Sequence, residues 1–271
     1  MKLAMNIRNW GPTATPEFLR ACAEAADQSG LDAIWFNDHL GFPPKIENNE
    51  YGIPDDMGTI LDPLGFATYL AACTQRIKFG TAVLILPYRP PIATIQLLSH
   101  GRFLLGVGPG YLEEEFRALG VSRKRRGRDT DDMIDFLHAC AESELIEANG
   151  QPFVLSPKLD RPPIYIGGSP KVAIPRTVRC GDGWMPVGFL PDELAPHIAE
   201  LNQRGAEAGR GPLEVVAMKT LPLNDRAAAI DLAAAYRDAG VSHLVHTQGY
   251  DSPAQYAEIV QQIDGEIRTA L

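Results

Sequence analysis

No apolar run in this chain of 271 residues approaches the ~20 residues that a membrane-spanning helix requires. The opening stretch, residues 1–7, turns polar within six residues and holds no apolar segment of signal-peptide length. Together these absences predict a cytoplasmic protein with no membrane partner. Positive charge is also short: the formal net charge is −9 at pH 7, which argues against a general nucleic-acid binder. There are only four cysteines, Cys22, Cys73, Cys140 and Cys180, widely spaced and without C-x-x-C pairing. They read as buried thiols rather than as a metal or redox site. The sequence has no G-x-S-x-G elbow, P-loop, H-E-x-x-H helix or H-x-H on its first strand. His243 and His246 lie three apart in a strand pattern, so they face opposite sides and make a poor metal pair. No metal site is expected.

What the chain does contain is core-forming material in a regular order. Hydrophobic residues make up 45% and charged residues 22%, enough for a large buried core and too little charge for disorder. Short apolar runs alternate with amphipathic segments throughout. Eight candidate strands fall at residues 3–8, 33–36, 77–86, 103–107, 164–166, 183–185, 213–221 and 243–247. A helical pattern follows nearly every one, which predicts a closed (β/α)8 TIM barrel occupying residues 1–271 as one domain. Thr15-Pro16, Asp62-Pro63, Ser169-Pro170 and Ser252-Pro253 each place a capping side chain before a proline at a helix start. Two long connections stand out. Residues 41–61 follow the second strand on the barrel's active face. Residues 149–163 suggest a peripheral hairpin, with residues 150–153 as its turn.

Several stretches at strand ends can carry chemistry. Asn37-Asp38-His39 follows the buried strand Ala33-Ile34-Trp35-Phe36, and a barrel delivers such residues to its mouth. His39 can manage a proton near neutral pH, with Asp38 orienting a ring or ligand; the bland alternative is a strand-end cap. Gly106-Val107-Gly108-Pro109-Gly110-Tyr111 offers glycines that let backbone approach a flat ligand, although it is no dinucleotide fingerprint. Gly167-Gly168-Ser169-Pro170 ends a strand and opens a helix, an arrangement that suits a phosphate monoester or serves only as a tight turn. Trp10 and Trp184 are candidates to wall an apolar pocket, with core packing as the default. The run Arg123-Lys124-Arg125-Arg126-Gly127-Arg128 reads as a solvated loop or an anion site. One acid/base group among backbone-rich, phosphate-friendly turns is what a protein needs when a cofactor supplies the chemistry.

At these positions the sequence resembles the bacterial luciferase-like superfamily, in particular its F420-dependent oxidoreductase branch. The matching stretches, in order, are Asn9-Trp10-Gly11-Pro12, Ile34 to His39, Ile77 to Val83, Gly101 to Gly108, Pro163 to Gly168 and Gly181-Asp182-Gly183-Trp184-Met185-Pro186. The resemblance implies a flavin or deazaflavin ring in the barrel mouth, with Asp38 and His39 beside it and His39 as the catalytic proton donor. It implies further that Ala82 and Val83 form a bulge behind the ring, often with a cis peptide, and that Gly167, Gly168 and Ser169 take a phosphate. Gly108, Gly110 and Tyr111 complete the expected cofactor-binding set.

The implied activity is hydride transfer between coenzyme F420 and a small organic substrate. The alternatives are a monooxygenase using FMN reduced by a separate reductase, and a non-enzymatic flavin-binding protein; a homodimer is expected. Two departures from the family pattern matter. Tyr111 stands where the superfamily's sugar-phosphate dehydrogenases carry a glutamate, which speaks against that substrate. Residues 90–100 are about six fewer than the family usually has, a loss of more than one helical turn at roughly 3.6 residues per turn.

Overall fold

Side chains alternate in and out along short strands, and here that alternation builds two separate cores. The computed structural model describes the chain except for residues 12, 39–60, 86–91, 93, 94, 97, 98, 144, 149, 150 and 155–158. The barrel strands are β1 (Lys2–Asn6), β2 (Ala33–Phe36), β3 (Lys78–Thr81), β5 (Phe103–Gly108), β8 (Ile164–Gly167), β9 (Gly183–Met185), β10 (Glu214–Lys219) and β11 (His243–His246). They pair in parallel in the order β3-β2-β1-β11-β10-β9-β8-β5, and β3 pairs with β5 to close the ring. The expected (β/α)8 barrel is the observed one.

Two sequence expectations about the strands need correction. The single run 77–86 is two strands, because β4 (Leu84–Ile85) pairs separately with β5 beyond a cis peptide bond between Ala82 and Val83. The peripheral hairpin exists as β6 (Leu145–Ala148) and β7 (Gln151–Val154), paired antiparallel. Gln151, Pro152 and Phe153, expected in its turn, belong to the second strand.

The longer helices among the described residues are α1 (Pro16–Gln28), α2 (Pro63–Cys73), α3 (Glu113–Leu119), α4 (Arg126–Glu142), α5 (Pro170–Cys180), α6 (Pro191–Glu207), α7 (Arg226–Asp238) and α8 (Pro253–Gln261). Side-chain oxygens satisfy the first orphan N–H groups at several starts. Thr15 accepts from the Phe18 N–H, Asp62 from those of Leu64 and Gly65, and Ser252 from that of Gln255. Ser169 departs from the expectation: it stands at the N-cap position of α5, yet its hydroxyl makes no capping bond. Of the shortened segment 90–100, only Ile92, Ile95, Gln96, Ser99 and His100 are described, so that expectation lies mostly outside the described residues. No helix among the described residues is long and apolar enough to cross a membrane.

Inward-facing Ala4, Ala33, Trp35, Leu104, Tyr165, Met185, Val216 and Val245 fill the barrel, with Trp35 set edge-on to Tyr165 at 5.6 Å between ring centroids. Outward-facing residues such as Leu3, Met5, Ile34, Phe36 and Leu105 join the helices in the larger core. Below the plug, at the strands' N-terminal ends, Glu214 collects hydrogen bonds from the Tyr165 hydroxyl (2.6 Å) and Lys2 Nζ (3.0 Å), with His243 Nε2 at 3.3 Å. The contact with His243, then those from Tyr165 and Lys2, hold the Glu214 carboxyl well below the usual carboxylate range despite partial burial. The other barrel end is free for a site.

Candidate active site

The mouth is assembled from the next inward-facing position on successive strands. Asn37, Asp38, Ala82, Val83, Gly108, Pro109, Gly110 and Tyr111 line one half of a cavity of about 420 Å³. Gly167, Gly168, Ser169, Met185, Val187, Phe189 and Met218 line the rest. The volume is in the range of small-molecule and cofactor sites. Every expected cofactor-binding residue among those described therefore faces one cavity. His39, the expected catalytic residue, and residues 41–60 of the expected lid lie outside the described residues.

The back wall is a packing arrangement. A Cβ on Gly108 would stand 2.8 Å from Val83 Cγ2, and one on Gly167 would stand 2.8 Å from Val83 Cγ1. Real Cβ contacts do not come that close, so the two glycines are sockets for the Val83 methyls. The sequence assigned these glycines to ligand approach; at Gly108 and Gly167 the immediate reason is the valine. Gly168 is different: its φ of +136° lies where side chains are strained, while a Cβ there would meet only ordinary contacts at 3.7 Å.

A polar net steadies the adjoining wall. Asn37 Nδ2 donates to the Ala82 carbonyl (3.1 Å), next to the cis bond. Its Oδ1 accepts from Asn6 Nδ2 (3.2 Å) and Trp10 Nε1 (3.3 Å). Asn9 is fully buried; it accepts from the Asn37 N–H and donates to the Asn37 and Leu61 carbonyls. Neither Asn6 nor Asn9 was singled out in the sequence as a site residue. Their only signal was that amides at the end of an apolar strand must find partners when buried.

Trp184 follows its default reading as a core residue. It belongs to the outer core with the helices, not to the mouth, but its Nε1 donates to the Gly168 carbonyl at 3.0 Å and so fixes the turn from behind. Trp10 is likewise absent from the cavity lining and serves through Asn37. Met185, Val187, Phe189 and Met218, unforeseen in the sequence, make the remaining wall apolar. Among the described residues, no three His, Cys, Asp or Glu side chains group as metal ligands.

The basic run is not a loop. Arg123–Arg125 form a 3-10 turn and Arg126 starts α4. Three of its arginines have acidic partners: Arg125–Asp129 at 3.1 Å, Arg128–Asp132 at 3.8 Å and Arg123–Glu113 at 3.9 Å. Arg176 of α5 reaches Asp131 (2.7 Å) and the Gly127 carbonyl (3.2 Å) on α4. The start of α4 is thus tied to the helix that opens at the phosphate-type turn.

Comparison with known proteins agrees with this geometry. The luciferase-like monooxygenase family model matches residues 3–267. An uncharacterized protein of Mycobacterium tuberculosis is 29% identical over 212 residues, covering 71% of this chain and 73% of that protein. The F420-dependent glucose-6-phosphate dehydrogenase of Amycolatopsis mediterranei is 29% identical over 232 residues, 78% of this chain and 64% of that one. Among solved structures, the monooxygenase RslO1 from Streptomyces bottropensis superposes with a TM-score of 0.80 at 16% identity, covering 99% of each chain. An F420-dependent secondary alcohol dehydrogenase bound to an F420–acetone adduct gives 0.79 at 16% identity, covering 100% of this chain and 99% of that one. These two likenesses establish the shared fold, and the match of the family model along nearly the whole chain places the protein in the luciferase-like monooxygenase family of oxidoreductases.

Proposed function

We propose that the cavity holds the deazaflavin coenzyme F420 and that the protein transfers a hydride between it and a small organic substrate. The observation that carries this reading is the pairing of a slot backed by Val83 with an unspent helix start at Ser169. Helix starts present free N–H groups and the positive end of the peptide dipoles. Because the Ser169 hydroxyl does not cap α5, it is available to a phosphate oxygen there. Bound in the slot, the coenzyme would supply the hydride donor or acceptor. Val83 would back the ring, Asn37 would hold the Ala82 carbonyl in place, and the apolar side chains of Met185, Phe189 and Met218 would exclude water. His39, adjoining Asp38 in sequence, is the residue we assign to move the proton.

The choice of F420 over FMN rests on charge. F420 carries an acidic oligoglutamate tail, and the basic ridge at the start of α4 stands beside the helix that opens at the turn. Exposed ion pairs contribute only ~0.2–1 kcal/mol each, so the arginines' present partners can be exchanged for tail carboxylates. FMN ends at one phosphate and needs only the turn.

Affinities for F420 and FMN, measured at low and high salt, test the choice. The expectation is tighter F420 binding that weakens with salt as screening sets in over ~8–10 Å. Tighter FMN binding, unchanged when Arg123, Arg125 and Arg128 are neutralised, would instead favour a monooxygenase fed by a separate reductase. For His39→Ala the expected result is cofactor affinity within about tenfold of wild type and turnover down by roughly 10²-fold or more. Normal turnover would remove His39 from the chemistry.

A further inference from the structure

One sector of the mouth contributes nothing to the cavity lining. The lining runs from Asn37 at the end of β2, past β3, β5, β8 and β9, to Met218 on β10. Strands β1 and β11 stand between β2 and β10, and no residue of either lines the cavity. Arg8 stands over that gap. Ala4 fills the barrel interior and Asn6 bonds to Asn37 at the mouth, so the period-two alternation of β1 continues to Arg8 on the same side.

The guanidinium of Arg8 lies 4.3 Å over the Trp10 ring, and Trp10 in turn bonds to the cavity-lining Asn37. Arg8 is therefore one ring away from the cavity wall. Its Nε is buried without an acceptor, and among the described residues no carboxylate or carbonyl pairs with the rest of the fork. Two other half-buried arginines have acceptors for their forks: Arg102 donates to Ser99, Thr74, Ile77 and Ala71, and Arg161 clasps Asp182 with both Nη atoms. Glycines border the two Nη groups. A Cβ would come to 3.4 Å of Nη1 at Gly249 and 3.6 Å of Nη2 at Gly11, so on those two sides no side chain stands against the fork. The Tyr250 hydroxyl accepts from the Arg8 backbone N–H at 2.9 Å and fixes the base of the side chain.

A partly desolvated guanidinium is costly until an anion completes it, and its planar fork suits a carboxylate or phosphate held by two bonds. Position decides which molecule brings that anion. In the closed strand order, β8 and β1 are four strands apart by either route, so the Ser169 turn and Arg8 face each other across the mouth. A cofactor whose phosphate sits at Ser169 has its anionic end on the far side. We propose that Arg8 binds an oxyanion group, carboxylate or phosphate, of the substrate. This inference rests on the reading that the cavity holds a flavin-type cofactor.

Intrinsic fluorescence gives a test that needs no turnover. Trp35 and Trp184 are fully buried, while Trp10 stacks on the guanidinium, so an anion reaching Arg8 perturbs Trp10. Sodium phosphate and sodium benzoate are titrated separately into wild type, Arg8→Gln, Arg8→Lys and Trp10→Phe, with chloride holding ionic strength constant. The expected result is a saturable signal in wild type for at least one anion, which identifies the preferred class. That signal is absent in Arg8→Gln and in Trp10→Phe, and shifted to several-fold higher concentration in Arg8→Lys, which keeps the charge but not the fork. F420 and FMN affinities should stay within about twofold in Arg8→Gln. An equal anion response in Arg8→Gln overturns the proposal, as does no response to either anion in wild type. A tenfold loss of cofactor affinity in Arg8→Gln also overturns it, because Arg8 would then serve the cofactor. If wild type binds neither cofactor, the flavin reading fails by itself, and the anion titration still reports on Arg8.

Discussion

At Ser169, helix stability and cofactor binding make opposite demands on one side chain. Aspartate is as good an N-cap as serine and interacts favourably with the helix dipole. Ser169→Asp should therefore fold with an unchanged or raised Tm. The same carboxylate would face the proposed phosphate; like charges about 4 Å apart at an effective dielectric near 20 repel by about 4 kcal/mol. Cofactor affinity should fall by roughly 100-fold or more, measured by titration alongside a thermal melt. Affinity unchanged in a folded variant would remove the turn from the site. Gly168 is the poorer probe, since its φ of +136° makes any side chain there a test of backbone strain first. The turn itself was legible in the sequence, because Gly-Gly-Ser-Pro marks the junction of a strand with a helix start. The amides Asn6 and Asn9 were not, because their partners on β2 and near Leu61 are far along the chain and meet them only when β1 pairs with β2.

At the scale of elements, the back wall predicts a coupling. Gly108 lies outside the left-handed region and has Val83 Cγ2 where its Cβ would go, so an alanine there meets a steric problem, not a conformational one. Gly108→Ala should destabilise by about 1–3 kcal/mol, as overpacking generally does. In a Val83→Ala background the same change should cost much less, and urea denaturation of the four proteins gives the coupling directly. Additive effects would mean that the valine and the glycine are independent. The β-then-α rhythm and the proline-marked helix starts were readable because they are local: a cap satisfies N–H groups two or three residues away. The socket was not, since it joins β5 and β8 to the link between β3 and β4. Trp184 shows the same limit from another side. Its type announced a large buried ring, but which face of a three-residue strand it occupies depends on the register of β9 against β8 and β10.

For the whole molecule, acid sensitivity should be set partly by one histidine. His246 is 1% exposed and bonded at both ring nitrogens, its Nδ1 accepting from the Leu221 N–H and its Nε2 contacting Gln248 Oε1 at 3.0 Å. Burial pushes its pKa down to about 4, only partly offset by Gln248. Since the folded value lies below the unfolded value of ~6.5, the unfolded chain takes up the proton first. Stability is then full above pH ~6.5 and lost progressively as pH falls toward 4, by on the order of 3 kcal/mol. Urea midpoints between pH 4.5 and 7 should show that slope in wild type, and His246→Gln should flatten it. An unchanged slope would assign the effect elsewhere. The paired carboxylates Asp32, Asp131 and Asp182, held below their ordinary values by arginines despite desolvation, lose their contribution only at lower pH.

The plug of Trp35, Tyr165, Leu104, Val216 and Val245 also determines how the barrel communicates with water. Packed side to side and almost wholly shielded, these residues separate the Glu214 network at one end from the cavity at the other. Among the described residues nothing threads the axis, so exchange with water belongs to the cavity end. On the proposed function, substrate, product and any exchanged proton would then all enter and leave at that end. The closed end is thereby released from chemical duty: substitutions there can adjust heat resistance without altering what passes through the opening.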